Sequence, residues 1–274
     1  MSLDDRSDDA DSGVDRAGSL PVWAVRTLAL TRREVLRVVR RPKNTVFPPI
    51  VTNALYVTVF GVILGARIGE TAGVPYLQFV LPGLISLGTI GQSFQNASFT
   101  IFHGRWEEYI ESVVASPVGY REQVAAYLAA SAVRGLAVGA VIFVLGLAFT
   151  DVPVRYPLIG LAFLLLVVVL FGSLGIAGGL WADDFDQLTV FNQFLIRPLV
   201  FFGGVFYPLS DLPGVVQTAS YLNPMVYIVS GVRYGLLGTA EIAPFTALAV
   251  LAAASVVSVA GVVVLMGRGY GLTE

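Results

Sequence analysis

Two sets of residues in this chain have types and spacings that could do chemistry, and neither set makes or breaks covalent bonds. The first is acidic. Trp106, Ile110, Val113 and Pro117 recur at i, i+4, i+7 and i+11 and make one apolar face, while Glu107, Glu108 and Glu111 project from the other. A short acidic helix of this kind suits docking into a basic or polar groove, where charge complementarity sets register. The second set is polar and lies inside apolar runs: Asn53, Gln92, Gln95, Asn96, Arg134, Gln193 and Arg197. Polar groups at membrane depth are costly, so each is read either as glue between helices or as lining of a path through them. Gln92 and Asn96 stand at i, i+4 and share a face. Arg134 and Arg197 have no carboxylate partner within the apolar runs, which argues against a proton relay.

Other chemistries are excluded by what the chain lacks. It has no cysteine and one histidine, His103, so thiolate, disulfide and histidine-cluster metal chemistry are out. No G-x-x-x-x-G-K-[ST] occurs, so ATP is not held here by a phosphate loop. No G-x-S-x-G occurs either, and His103 is expected on a surface loop, far from any intramembrane serine. No basic-aromatic surface points to nucleic acid.

The elements that must position these residues are membrane spans. The chain of 274 residues is 55% hydrophobic and only 13% charged, against about 25% charged in soluble domains. A bilayer core needs about 20 apolar residues per helix, and six segments qualify: Phe47–Ala66, Phe79–Ile101, Val124–Phe149, Pro157–Trp181, Leu188–Leu209 and Phe245–Met266. The fold expected is therefore an all-α polytopic membrane protein with six transmembrane helices. Residues 1–19, with Asp4, Asp5, Asp8, Asp9, Asp11 and Asp15 among Ser and Gly, are expected to be a disordered acidic tail. Residues 20–43 make an amphipathic interfacial helix, with Val25, Leu28, Val35, Leu36 and Val39 on one face and Arg26, Arg33, Arg37 and Arg40 on another. Residues 44–274 form the transmembrane domain.

Orientation follows from the Lys and Arg residues flanking the spans. Arg26, Arg32, Arg33, Arg37, Arg40, Arg41, Lys43, Arg105, Arg121 and Arg268 fall on one side, and Arg67, Arg155 and Arg233 on the other. Both termini, and the acidic segment Trp106–Pro117, are expected in the cytoplasm. Between the fifth and sixth spans, Val215–Leu222 and Met225–Leu237 are apolar enough to dip back into the membrane, punctuated by Pro213, Pro224 and Pro244. Non-helical backbone at depth needs protein or a water-filled cavity around it, so a re-entrant outer plug is expected.

With these residues in order, the chain resembles the membrane subunit of ABC-2 type transporters, specifically the YadH-type transport permeases, over roughly Val25 to Gly271. The resemblance rests on Pro48-Pro49-Ile50, Leu55-Tyr56, Arg67-Ile68-Gly69 and the run from Tyr76 to Ile85 that includes Leu81-Pro82-Gly83. It continues through Ser116-Pro117-Val118, Arg134-Gly135-Leu136, Gly203-Gly204-Val205-Phe206-Tyr207, Leu222-Asn223-Pro224-Met225-Val226-Tyr227, Ser230-Gly231 and Arg233-Tyr234-Gly235. The resemblance implies a half-transporter. Two copies pair, and each receives an ATP-binding subunit from a separate chain that holds ATP and Mg. It also implies a coupling helix carrying Trp106, Glu107, Glu108, Ile110, Glu111 and Pro117, and a connecting helix with Arg33, Arg37 and Arg40. Short re-entrant outer helices would carry Asn223, Pro224 and Arg233. Export of an amphipathic, lipid-linked or drug-like substrate from the inner membrane is the implied activity, with no enzyme site in this chain. The cavity is expected between the copies, lined by the second and fifth spans. A passive channel or secondary transporter would instead predict inverted repeats and intramembrane carboxylates, and a non-transporting scaffold would predict no ATPase partner.

Overall fold

A computed structural model describes residues 22–40, 47–107 and 118–271. The acidic tail, Arg41 to Val46, and Glu108, Ile110, Glu111 and Pro117 lie outside the described residues. In order, the chain forms α1 (Val22–Val39), α2 (Phe47–Ile68), α3 (Tyr76–Trp106), α4 (Tyr120–Leu147) and α5 (Pro157–Trp181). There follow α6 (residues 185–201), α7 (Gly214–Ser220), α8 (Pro224–Leu237) and α9 (Pro244–Gly267). One small hairpin, β1 (Glu70–Thr71) against β2 (Val74–Pro75), joins α2 to α3. Its turn residues Ala72 and Gly73 both take positive φ, 51° and 77°, as type I′ turns require.

Five helices among the described residues, α2 to α5 and α9, are long and apolar enough to cross a membrane. The fifth expected span, Leu188–Leu209, is a shorter helix over residues 185–201. It starts three residues early, where Asp184 Oδ1 accepts the Gln187 N–H at 2.7 Å, a side-chain cap of the first turn. It stops at Phe202, where the chain turns through Gly203 and Gly204, the latter at φ 69°. Pro198 cannot donate to the helical ladder and crowds the preceding turn, and the turn before it, Asn192–Ile196, widens to π-helix. From Phe185 the segment nonetheless travels the length of the bundle. Phe185 packs on Phe102 near the end of α3, and the Phe206 carbonyl accepts from Tyr76 Oη at the start of α3.

α3 is the axis of the molecule. Its 31 residues span about 46 Å at 1.5 Å per residue, well beyond the ~30 Å hydrocarbon core. Glycines let its neighbours close on it, as expected where apolar helices associate without a hydrophobic drive. A Cβ on Gly175 of α5 would fall 2.5 Å from the Phe94 carbonyl oxygen, and one on Gly179 2.6 Å from that of Ser98. On the other flank, a Cβ on Gly139 of α4 would meet Thr89 Oγ1 at 2.5 Å. Phe79, Leu81, Leu84, Ile90, Phe94 and Ile101 are consequently buried within the single chain.

α8 runs back along α5. A Cβ on Gly235 would sit 2.5 Å from Gly160 Cα, and the Tyr156 N–H donates to the Gly235 carbonyl at 2.8 Å. α9 returns the chain, so Gly267 lies on Tyr120 and Gly271 on Leu180. The bundle therefore has two distinct ends: one gathers Trp106, Tyr120, Asp183 and Arg268, the other Tyr76, Tyr156, Gly235 and Pro244.

α1 lies on α4. Leu30 and Glu34 are buried, while Val25 and Leu28 are exposed. A helix at an interface meets protein, lipid and water at once. Hydropathy alone cannot tell which apolar residues of such a helix pack on protein: Leu30 does, whereas Val25 and Leu28 do not.

Candidate functional site: the Arg105 end and the Arg134 cluster

At the end of the bundle marked by Trp106, the last turn of α3 is tied to α5. Arg105 Nη1 donates to the carbonyls of Gly179, Leu180 and Ala182 at 3.1, 3.0 and 2.7 Å. These are carbonyls a helix C-terminus leaves open, and a cation there also complements the helix dipole. Arg105 Nη2 lies 3.6 Å from Asp183, two residues before α6. Phe99, Phe102, His103 and Phe185 form an aromatic cluster with ring centroids 4.8 to 6.2 Å apart, and Trp106 stacks on Phe102 while remaining 69% exposed. These contacts join the end of α3 to α5 and α6. Trp106 and Glu107 belong to the end of α3, Glu107 being its C-cap, rather than opening a separate helix.

Deeper in the bundle, α1, α3 and α4 share a polar cluster. Arg134 donates through Nε to Gln92 Oε1 at 2.9 Å and through Nη2 to Gln95 Oε1 at 3.2 Å. Asn96 Nδ2 donates to Ser131 Oγ at 3.3 Å, and Ser131 Oγ to the Tyr127 carbonyl at 2.9 Å. From α1, Arg37 donates to Thr100 Oγ1. Arg37 also forms a 2.7 Å ion pair with buried Glu34, misaligned for a hydrogen bond at Glu34 Oε2. Arg33 on α1 and Arg40 just past its end are exposed.

The residues expected to line a path are therefore only partly brought together. Gln92 and Arg134 meet, while Asn96 reaches α4 separately at Ser131. Asn53 is buried and donates to the Pro49 carbonyl of its own helix at 2.7 Å. Gln193 is exposed on α6 and borders an open concavity of about 530 Å³ with Pro198, Phe201, Phe202 and Tyr207. Arg197 begins the last helical stretch of α6, and its side chain lies outside what is described. The second span is mostly buried within the chain, whereas α6 exposes Phe194 (77%) and Phe201 (62%).

At the opposite end, Asn223 Oδ1 caps α8 by accepting the Met225 N–H at 2.9 Å, and its Nδ2 donates to the Leu199 carbonyl of α6 at 2.6 Å. Pro224 takes the first helical position, where a missing N–H costs nothing. Arg233 is buried over the Phe79 ring, 3.9 Å from its centroid, donates to Glu241 Oε1 at 3.0 Å and to the Gly204 carbonyl at 2.8 Å. Glu241 Oε2 accepts the Leu209 N–H at 3.2 Å. One ion pair thus joins α3, the end of α6, α8 and the α8–α9 loop.

Arg105, Glu34 and Glu241 are the site residues that sequence reading passed over. Glu34 was findable as the lone acid among the arginines of α1, at i, i+3 from Arg37. Nothing in the sequence pairs Arg105 with residues 179–182 or Glu241 with Leu209.

Comparison with known proteins matches residues 25–237 to the family described as ABC-2 type transporter. The chain is 36% identical over 219 residues to the inner membrane transport permease YadH of Escherichia coli (strain K12), covering 80% of this chain and 86% of that one. It is 24% identical over 226 residues to nodulation protein J of Rhizobium leguminosarum bv. trifolii, covering 82% and 86% respectively. Nodulation protein J of Rhizobium meliloti (strain 1021) is likewise 24% identical, over 227 residues. With a family match across most of its length and a bundle of helices long enough to cross a bilayer, the chain belongs to the ABC-2 type transporter family as one of its multi-pass membrane chains.

Proposed function

We propose that this chain is the permease subunit of an ATP-driven exporter in the inner membrane, with both termini in the cytoplasm. It works as a pair of copies, each receiving a separate ATP-binding subunit that carries ATP and Mg. The substrate class is amphipathic, lipid-linked or drug-like. Family membership supports the transporter reading, and the lack of a phosphate loop requires the energy source to be another chain.

The single observation that carries the mechanism is the Arg105 tie. The segment from Trp106 to Pro117, with Glu107, Glu108, Ile110 and Glu111, is the natural seat for the ATP-binding subunit. Because Arg105 fastens the adjoining turn to the ends of α5 and α6, closure of two ATP-binding subunits moves α3, α5 and α6 as a block. Rocking of such blocks between two states is a known way to alternate access. α1, with Arg33, Arg37 and Arg40, lies along the inner interface, and six crossings are completed by residues 185–206. The path runs beside Gln92, Asn96, Arg134, Gln193 and Arg197, near Asn53, and α7 and α8, with Asn223, Pro224 and Arg233, dip back to close the outer end. The exposed aromatic face of α6 meets the second copy.

The test is charge reversal at the seat. Glu108→Lys with Glu111→Lys is expected to release the ATP-binding subunit or to leave ATP hydrolysis unlinked to transport. Unchanged assembly with fully coupled turnover contradicts the docking role.

A further inference from the structure

Arg134 poses a charge problem that the described residues do not solve. Both hydrogen-bond partners, Gln92 and Gln95, are neutral. Among the described residues Arg134 forms no ion pair, and the charge that acts on it is Arg37, of the same sign. The carboxylate nearby on α1, Glu34, is already engaged with Arg37. A half-buried guanidinium amid apolar helices is costly without a counter-charge. Amide dipoles orient it but do not neutralise it.

The two glutamines also do something more specific. Each spends its carbonyl oxygen on Arg134, which leaves its NH2 group as donor only. Arg134 Nη1 and both amide nitrogens make no hydrogen bond to the described residues. The cluster therefore presents unspent donors beside a fixed positive charge. Such a set matches a tetrahedral oxyanion, whose several oxygens accept from a forked guanidinium and its flanking amides. Beside Arg134, the exposed side of α4 is apolar through Val133, Ala137, Ala140 and Val144, and the basic side of α1 with Arg26, Arg33, Arg37 and Arg40 lies close on the same bundle. An anion reaching this place along the membrane interface is drawn by those arginines and carries an apolar tail suited to the α4 surface.

We infer that Arg134, Gln92 and Gln95 form a binding site for the phosphate group of an amphiphile. The phosphate belongs either to a resident bilayer lipid or to the transported molecule. Its role in transport rests on the exporter reading above; its existence as a binding site does not.

The experiment uses the full chain in nonionic detergent and dodecyl phosphate as the probe, with binding read by native mass spectrometry. Dodecyltrimethylammonium, of equal tail and opposite charge, is the control. The wild-type chain is expected to hold dodecyl phosphate and not the cation. Arg134→Gln weakens that binding by about tenfold or more, the loss of a charge-assisted pair, and Arg134→Lys, lacking the planar fork, restores it in part. Gln92→Leu with Gln95→Leu keeps the charge and is expected to weaken binding as well, which covers the case where Arg134→Gln does not fold. Equal binding of dodecyl phosphate by the wild type and either folded variant overturns the site. Nanodiscs of phosphatidylcholine with and without phosphatidylglycerol distinguish the sources. A resident lipid appears as retained phosphatidylglycerol that depends on Arg134, whereas a transported phosphate appears as ATP hydrolysis stimulated by dodecyl phosphate in the assembled complex. Binding that depends on Arg134 in a chain that recruits no ATP-binding subunit leaves the site standing and removes the exporter reading.

Discussion

Arg233 and Glu241 are joined by a single 3.0 Å ion pair, yet its loss should be felt across the whole end of the bundle that holds Tyr76. The Arg233 side chain is 4% exposed, and its Nε has no hydrogen-bond partner among the described residues, so it depends on Glu241 and the Gly204 carbonyl. Glu241→Leu removes the counter-charge and should cost about 3 kcal/mol, because it strands a buried cation. The double variant Glu241→Leu with Arg233→Leu removes both charges and should cost less than Glu241→Leu alone. Thermal unfolding in detergent measures both, and a double variant worse than the single would contradict the pairing. Sequence reading placed Arg233 outside the spans but could not supply its partner, since charge pairing across a loop leaves no periodic trace. The same holds for Arg105, whose acceptors are backbone carbonyls and so have no residue type to recognise. Gln92 and Asn96, by contrast, were legible as a pair from their spacing on one helix.

At the scale of elements, the helices were easier to read than their faces. Runs of about 20 apolar residues announce spans whatever they touch, and Pro157–Trp181 appears with the expected bounds. The ends of α3 were not visible, because its last turns are held by Arg105 and aromatic contacts that hydropathy does not register. Which side of α1 packs on protein was not legible for a related reason: lipid and protein reward the same apolar residues. Close helix contacts give the sharpest element-level expectation. Gly175→Val drives methyl groups into the Phe94 carbonyl and should destabilise the α3–α5 contact by about 1–3 kcal/mol, seen as a lower unfolding temperature. Gly91→Ala, where an added Cβ meets nothing within 4 Å, should be neutral or stabilising by up to about 1 kcal/mol, because alanine favours helix. If both variants behave alike, the α3–α5 packing described above is wrong.

At the scale of the whole molecule, a single copy leaves α6 with Phe194 and Phe201 largely exposed, beside the concavity that Gln193 borders. In a chain without cysteine, Phe194→Cys or Phe201→Cys in membranes should cross-link two copies under mild oxidant; monomer alone from both positions would contradict pairing through α6. Family membership was legible from ordered short motifs, none of them decisive alone, because their order along a whole chain is far more specific than any one of them. Cargo was not legible, since fold does not fix what passes through it. The central claim, that this chain converts an ATPase's movement into transport, is tested most directly by purifying it from its native membrane into nanodiscs under gentle conditions and weighing the intact assembly. The account predicts two copies of this chain with an equal number of ATP-binding subunits, hydrolysing ATP at a rate that substrate changes. Recovery of this chain alone, with no ATP-binding subunit and no ATP hydrolysis, would contradict it.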